Sequence, residues 1–205
     1  MVQLAGTALP LGVVMMLGSY AANMPRYALE HFHGARELGV FSAIANLMLI
    51  GTTLMTALGQ AATPRFARAF LDRDRAELWR LTRILLAVAT LLGTGAIAIA
   101  ALGGGPILRL IYTAEYADRG TVLTVVMVAG LATNFASVFG VVVTSSGEYR
   151  RQIALQAINL TVVVVFAWWL VPEYGALGAA WSLVASSTAT ATVFGALAFA
   201  RVQAL

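Results

Sequence analysis

Charged residues in this chain of 205 fall into a few clusters, and the stretches between them carry none. Those stretches are 1–25, 38–64, 84–108, 120–147, 152–172 and 174–200. Each reaches the roughly 20 residues that an α-helix needs to cross a ~30 Å hydrocarbon core. An arginine at the centre of such a helix costs roughly 2.5–3.5 kcal/mol to insert, so the repeated avoidance has a physical meaning. Only 11% of the residues are charged and 60% are hydrophobic, where a soluble domain carries about 25% charge. The apolar runs show no period-two alternation and are too long for the strands of a membrane barrel. The expectation is an all-α integral membrane protein, a single bundle over 1–205 with six transmembrane helices at about 4–23, 38–61, 83–103, 120–144, 151–171 and 176–200.

The connecting segments are short. Met24 to Leu38 is a mixed linker holding Arg26, Glu30, His31, His33, Arg36 and Glu37. Gly103-Gly104-Gly105-Pro106 reads as a helix breaker, and the amphipathic stretch after it predicts a surface helix at about 107–117. Pro172-Glu173-Tyr174-Gly175 reads as a tight turn. The first 25 residues lack a positive n-region and their apolar run is too long for a signal peptide, so they are expected to stay as a helix. With six spans, the N-terminus, the second and fourth loops and the C-terminus share one side. That side holds Arg65, Arg68, Arg73, Arg75, Arg80, Arg83, Arg150, Arg151 and Arg201, while Arg26, Arg36, Arg109 and Arg119 lie on the other. Arginine bias therefore predicts both termini in the cytosol. The same clustering beside apolar spans makes the net charge of +4 a topology signal and argues against nucleic acid as a partner.

Few enzyme chemistries fit these residues. There is no cysteine and no phosphate-cradling loop followed by Lys-Ser/Thr, and no paired carboxylate lies within a span. His31 and His33 have no third histidine or cysteine to complete a metal site. Neither a catalytic set nor a cofactor is expected. What the spans do contain is uncharged polar residues in stripes. Asn46, Thr53, Thr56 and Gln60 share one helical face, as do Gln152, Gln156 and Asn159. Gly130, Asn134 and Ser137 form a third set. Polar stripes at membrane depth must face protein or a water-filled cavity; helix–helix hydrogen bonds, worth about 0.6 kcal/mol each, are the simpler use for any one of them. Gly178, Ser182, Ser186 and Thr190, at spacing four, are a small-residue seam for close helix packing. Arg26 is either an anion-attracting mouth residue or half of an ordinary pair with Glu30.

Four passages together resemble the C-terminal half of a bacterial polysaccharide (O-antigen type) flippase, of the multidrug/oligosaccharidyl-lipid/polysaccharide exporter superfamily. They are Asn-Met-Pro-Arg-Tyr-Ala-Leu-Glu at 23–30 with Leu-Gly-Val-Phe-Ser-Ala at 38–43, Gln-Ala-Ala-Thr-Pro-Arg-Phe-Ala-Arg at 60–68, Ile-Leu-Arg-Leu-Ile-Tyr-Thr-Ala-Glu-Tyr at 107–116, and Val-Pro-Glu-Tyr-Gly-Ala-Leu-Gly-Ala-Ala at 171–180. The resemblance covers nearly the whole chain. It implies translocation of a polyprenyl-diphosphate-linked oligosaccharide across the bacterial cytoplasmic membrane, with membrane lipid and lipid-linked glycan as partners. It also implies two six-helix lobes around a central cavity, of which this sequence supplies one. Because alternating access rocks one bundle against another, a second lobe is expected from another chain, a missing N-terminal half or a homodimer. On this reading Arg26 and Arg65 act at the two mouths, and Asn46, Gln60, Asn134, Gln156 and Asn159 hydrate the wall. The competing expectations are a MATE-like small-molecule exporter lobe, a non-transporting remnant and a membrane-embedded glycan-assembly enzyme.

Overall fold

A computed structural model describes the backbone of residues 2–146, 149–203 and 205, and side chains outside 2–11, 114–115 and 149–151. The chain forms four long helical elements: α1 (Val2–Leu71), α2 (Arg75–Ile111), α3 (Gly120–Ser145) and α4 (Tyr149–Gln203), with a 3-10 turn at Ala114–Arg119. This corrects the expectation of six separately bounded helices, because the segments expected to separate them are themselves largely helical. The linker at 24–38 is helical but for Gly34, and Pro172 lies inside α4. Among the described residues, four helices are long and apolar enough to cross a membrane.

The two longest elements are not straight rods. At 1.5 Å per residue, the 70 residues of α1 would reach about 105 Å, more than three times a ~30 Å hydrocarbon core. Two helical arms meet instead at Gly34, whose φ of 82° and ψ of 176° leave the helix. The arms of α4 meet in the same way at Gly175, with φ 54° and ψ −129°. Both φ values lie in the left-handed half of the map, where a Cβ would clash and glycine alone is at ease. Gly178 lies against the backbone carbonyl of Leu170, an approach that only a reversed chain can make. Residues 18–26 and 41–49 of α1 likewise border one cavity.

The glycine-proline stretch at 103–106 does not end α2, which continues to Ile111 with Pro106 inside it. Its glycines serve packing: a Cβ on Gly104 would sit 3.2 Å from the Gly120 Cα, and one on Gly105 would sit 3.0 Å from the Ala117 carbonyl oxygen. The expected surface helix at 107–117 is thereby replaced by the end of α2 and the 3-10 turn. Asp74 caps the other end of α2, its carboxylate accepting the Glu77 backbone N–H at 3.0 Å.

Two packed cores lie toward opposite ends of the bundle. The first gathers small residues such as Ala28, Ala45, Ala167, Ala176, Ala179 and Ala180 around Phe41 and Ile44, near the Gly34 and Gly175 breaks. Lipid tails are as apolar as leucine, so close approach of small residues, rather than expulsion from water, drives such contacts in a membrane. The second packs Met55, Phe66, Leu78, Leu85, Val142 and Phe194, near the ends of the four elements.

Candidate functional site

Between the two cores a cavity of about 380 Å³ opens among both arms of α1, α3 and both arms of α4. No α2 residue lines it. Its polar wall is built from few side chains. On the first arm of α4, Asn159 accepts the Ser186 hydroxyl of the second arm at 2.8 Å, and its amide lies 3.5 Å from the Gln156 Oε1. Gln156 reaches across to α1, where its Nε2 lies 2.7 Å from the place a Cβ would take on Gly18. Glycine there makes room for the amide; an alanine would displace it. Among the described lining residues the one cation is Arg26, whose guanidinium donates to Asn23 Oδ1 at 3.0 Å, while the Asn23 amide donates to the Ser19 carbonyl at 2.9 Å. Arg26 lies eight residues before the Gly34 break, about 12 Å along a helix, which puts it toward one mouth.

Hydroxyls complete the polar part of a lining that is otherwise alanine, leucine, methionine, phenylalanine and glycine. Thr133, Ser187 and Thr190 each donate to a carbonyl one turn back in their own helices, at 2.8 Å. Their protons are thus spent on backbone, and their oxygen lone pairs remain to accept. Among the described residues no carboxylate lines the cavity. The site can therefore donate through Arg26 and the amides, and accept through hydroxyl oxygens. A ligand with an anionic part and a hydroxylated part matches that pattern.

Of the residues singled out in the sequence, Arg26, Gln156 and Asn159 come together here. Asn46, Gln60 and Arg65 do not; all three are exposed on the outside of α1's second arm, together with Thr53 and Thr56. Their stripe is exposed beside the cavity-lining Leu49 but does not itself line the cavity. Asn134 lies on another face of α3, in a separate groove, 4% exposed with its Oδ1 unpartnered among the described residues. An acceptor left dry costs about 1–3 kcal/mol. Gln152 is spent on structure, donating to the Thr144 hydroxyl at 2.8 Å and tying α4 to α3. Ser186 and Thr190 were legible only as a packing seam, yet they line the cavity. Their i, i+4 spacing puts both hydroxyls on one helical face, the signal by which they could have been grouped with the site.

No protein-family profile matches the chain. Its fold is that of one half of a MATE transporter. An outward-facing multidrug resistance MATE transporter of the MOP superfamily superposes with a TM-score of 0.82 over 96% of this chain and 45% of that one, at 18% identity. The inward-facing conformation gives a TM-score of 0.82 over 98% of this chain and 47% of that one, also at 18% identity. By sequence, the chain is 27% identical over 179 residues to a capsular polysaccharide biosynthesis protein, CapF, of Staphylococcus aureus, covering 87% of this chain and 45% of the relative. The chain thus has a multi-pass membrane transporter fold and a polysaccharide-biosynthesis homologue, and it spans less than half the length of each of these proteins.

Proposed function

We propose that the chain is one lobe of an exporter that carries a polyprenyl-diphosphate-linked oligosaccharide across the bacterial cytoplasmic membrane for cell-surface polysaccharide biosynthesis. In this reading α1 and α4 each cross the bilayer twice, turning at Gly34 and Gly175, which with α2 and α3 makes six spans and leaves both termini in the cytosol. The observation that carries the proposal is the cavity itself: Arg26 with two amides and several hydroxyls set among alanine, leucine, methionine and phenylalanine side chains, and no acid among the described lining residues. A diphosphate would be drawn to Arg26, and sugar hydroxyls would exchange hydrogen bonds with Gln156, Asn159, Ser186 and Thr190. Such groups give a hydrated headgroup a polar path where hydrocarbon would strip it bare.

A second lobe, supplied by another chain, a preceding half or a second copy, would close the site. The exposed stripe Asn46, Thr53, Thr56 and Gln60 supports this, because polar faces at membrane depth turn to protein or water rather than to lipid. The MATE-like fold favours a second reading, a lobe of a small-molecule exporter. That reading wants an embedded carboxylate for ion coupling, which the lining of this cavity does not offer.

The two readings separate in one experiment. In cells expressing the complete assembly, Arg26→Gln combined with Asn159→Leu is expected to lower surface polysaccharide at least tenfold, with lipid-linked oligosaccharide accumulating on the cytosolic leaflet and normal amounts of protein in the membrane. Unchanged surface polysaccharide at normal protein levels would reject the glycan assignment. Loss of drug efflux in the same variant would favour the small-molecule exporter.

A further inference from the structure

A second hollow, of about 400 Å³, lies between the second arm of α1, α2 and α3, on a different face of α3 from the cavity described above. Glycines Gly51, Gly93, Gly95 and Gly130 make the space, and Leu91, Ile99, Met127 and Leu131 are among the side chains that fill in its walls. Ile50, Leu91 and Ile99 at its rim are 74%, 74% and 63% exposed, so the hollow opens toward the hydrocarbon of the membrane. Among the described residues Asn134 is the one polar side chain lining it, and its buried Oδ1 has no partner there.

We propose that this groove is a binding site for a small uncharged apolar molecule with a single hydroxyl, of the phenol or alkanol class. The chemistry is restrictive. Among the described residues no titratable group lines the groove, so an ionic ligand would lose its solvation and gain no counter-charge. A purely apolar guest would leave the Asn134 acceptor as dry as before. A hydroxyl both donates and accepts, and the Asn amide is two-fold about its terminal torsion, so one O–H satisfies whichever end is turned to it. Asn134 lies 14 residues into α3, which begins at Gly120, near the middle of a span. Charged lipid headgroups reside at the interface and not at that depth, which favours a neutral, membrane-dissolved guest over a phospholipid. Water alone is poorly suited, since apolar hollows stay dry and admit aromatic guests. The inference does not depend on what the other cavity transports.

A photoreactive para-alkylphenol and its methyl ether, which lacks the donor, test the site on the full chain in lipid nanodiscs. The phenol is expected to label residues 47–51, 91–99 and 127–134 at least tenfold more efficiently than the ether. Asn134→Leu should bring the phenol down to the ether's level. Gly95→Leu, at a position where a Cβ meets nothing within 4 Å, should fill the groove and abolish labelling by both; it keeps the test open if the Asn134 variant fails to fold. Equal labelling by phenol and ether, a phenol preference that survives Asn134→Leu, or an unlabelled groove, as a covering partner helix would give, overturns the proposal.

Discussion

The two ends of the bundle are held by different physics. At the end carrying Gly34 and Gly175, cross-element bonds interlock. His33 Nε2 lies 2.8 Å from the Val171 carbonyl oxygen, and Arg119 pairs with Glu37 at 2.6 Å. Tyr112 donates to the Ala43 carbonyl at 2.8 Å and stacks on Tyr116 at 5.0 Å between ring centroids. A carbonyl can only accept, so His33 carries its proton on Nε2. Below these clamps lies the alanine-rich core, where backbones approach closely. The opposite end has larger side chains in its core, and its cross-element bonds include Arg75 donating to the Gln203 carbonyl and Gln152 donating to the Thr144 hydroxyl, both at 2.8 Å. By sequence, that end carries nine arginines and four carboxylates, against four arginines and five carboxylates at the first. One end is nearly neutral and packed on small residues, the other strongly basic and packed on larger ones.

Breaking the charge difference should have the largest effect. Replacing Arg73, Arg75, Arg80 and Arg83 with glutamate removes the arginine bias that, in the proposed topology, would hold that end in the cytosol. A C-terminal reporter active only in the periplasm should then turn from silent to active, or the protein should fail to insert; a reporter that stays silent at normal protein levels would show that orientation is set elsewhere. Next comes the interlocked end. Gly178→Leu would drive a side chain into the Leu170 carbonyl, and overpacking of this kind costs about 3 kcal/mol. Thermal unfolding in detergent should shift downward by several degrees, and no shift would mean the α4 arms are less closely apposed than described. The smallest effects form a matched pair. His33→Phe removes a half-buried hydrogen bond worth about 1 kcal/mol, whereas Arg75→Met removes an exposed one worth about 0.5 kcal/mol or less. Equal losses in the same unfolding assay would erase the distinction drawn between the two ends.

Much of the architecture could be read from where charge is missing, because the cost of burying an arginine in hydrocarbon leaves its mark on the sequence. Helix ends were less legible. Gly103-Gly104-Gly105-Pro106 reads as punctuation in water, where an exposed backbone can hydrogen-bond to solvent. Within a lipid-facing bundle the same glycines let the 3-10 turn pack onto α2, and the helix runs on. The linker at 24–38 misled for a related reason: its mixed charges suggest a loop, yet only Gly34 departs from helical geometry. At the site, Gln156 and Asn159 were recoverable from spacing, since residues three apart share a helical face. Spacing does not say which way that face turns, and the stripe through Asn46 and Gln60 turns outward. Ser186 escaped notice as a site residue because a small hydroxyl at a packing seam looks the same whether its neighbour is a methyl group or the Asn159 amide.

The clamps also make a forecast about sequence drift. His33 holds Val171, Tyr112 holds Ala43 and Arg75 holds Gln203 through main-chain oxygens, which every amino acid possesses. Positions 43, 171 and 203 can therefore exchange side chains over evolutionary time without loosening the bond each receives. The histidine, tyrosine and arginine have no such freedom, so variation among close homologues should be lopsided, with each donor fixed opposite an acceptor that wanders.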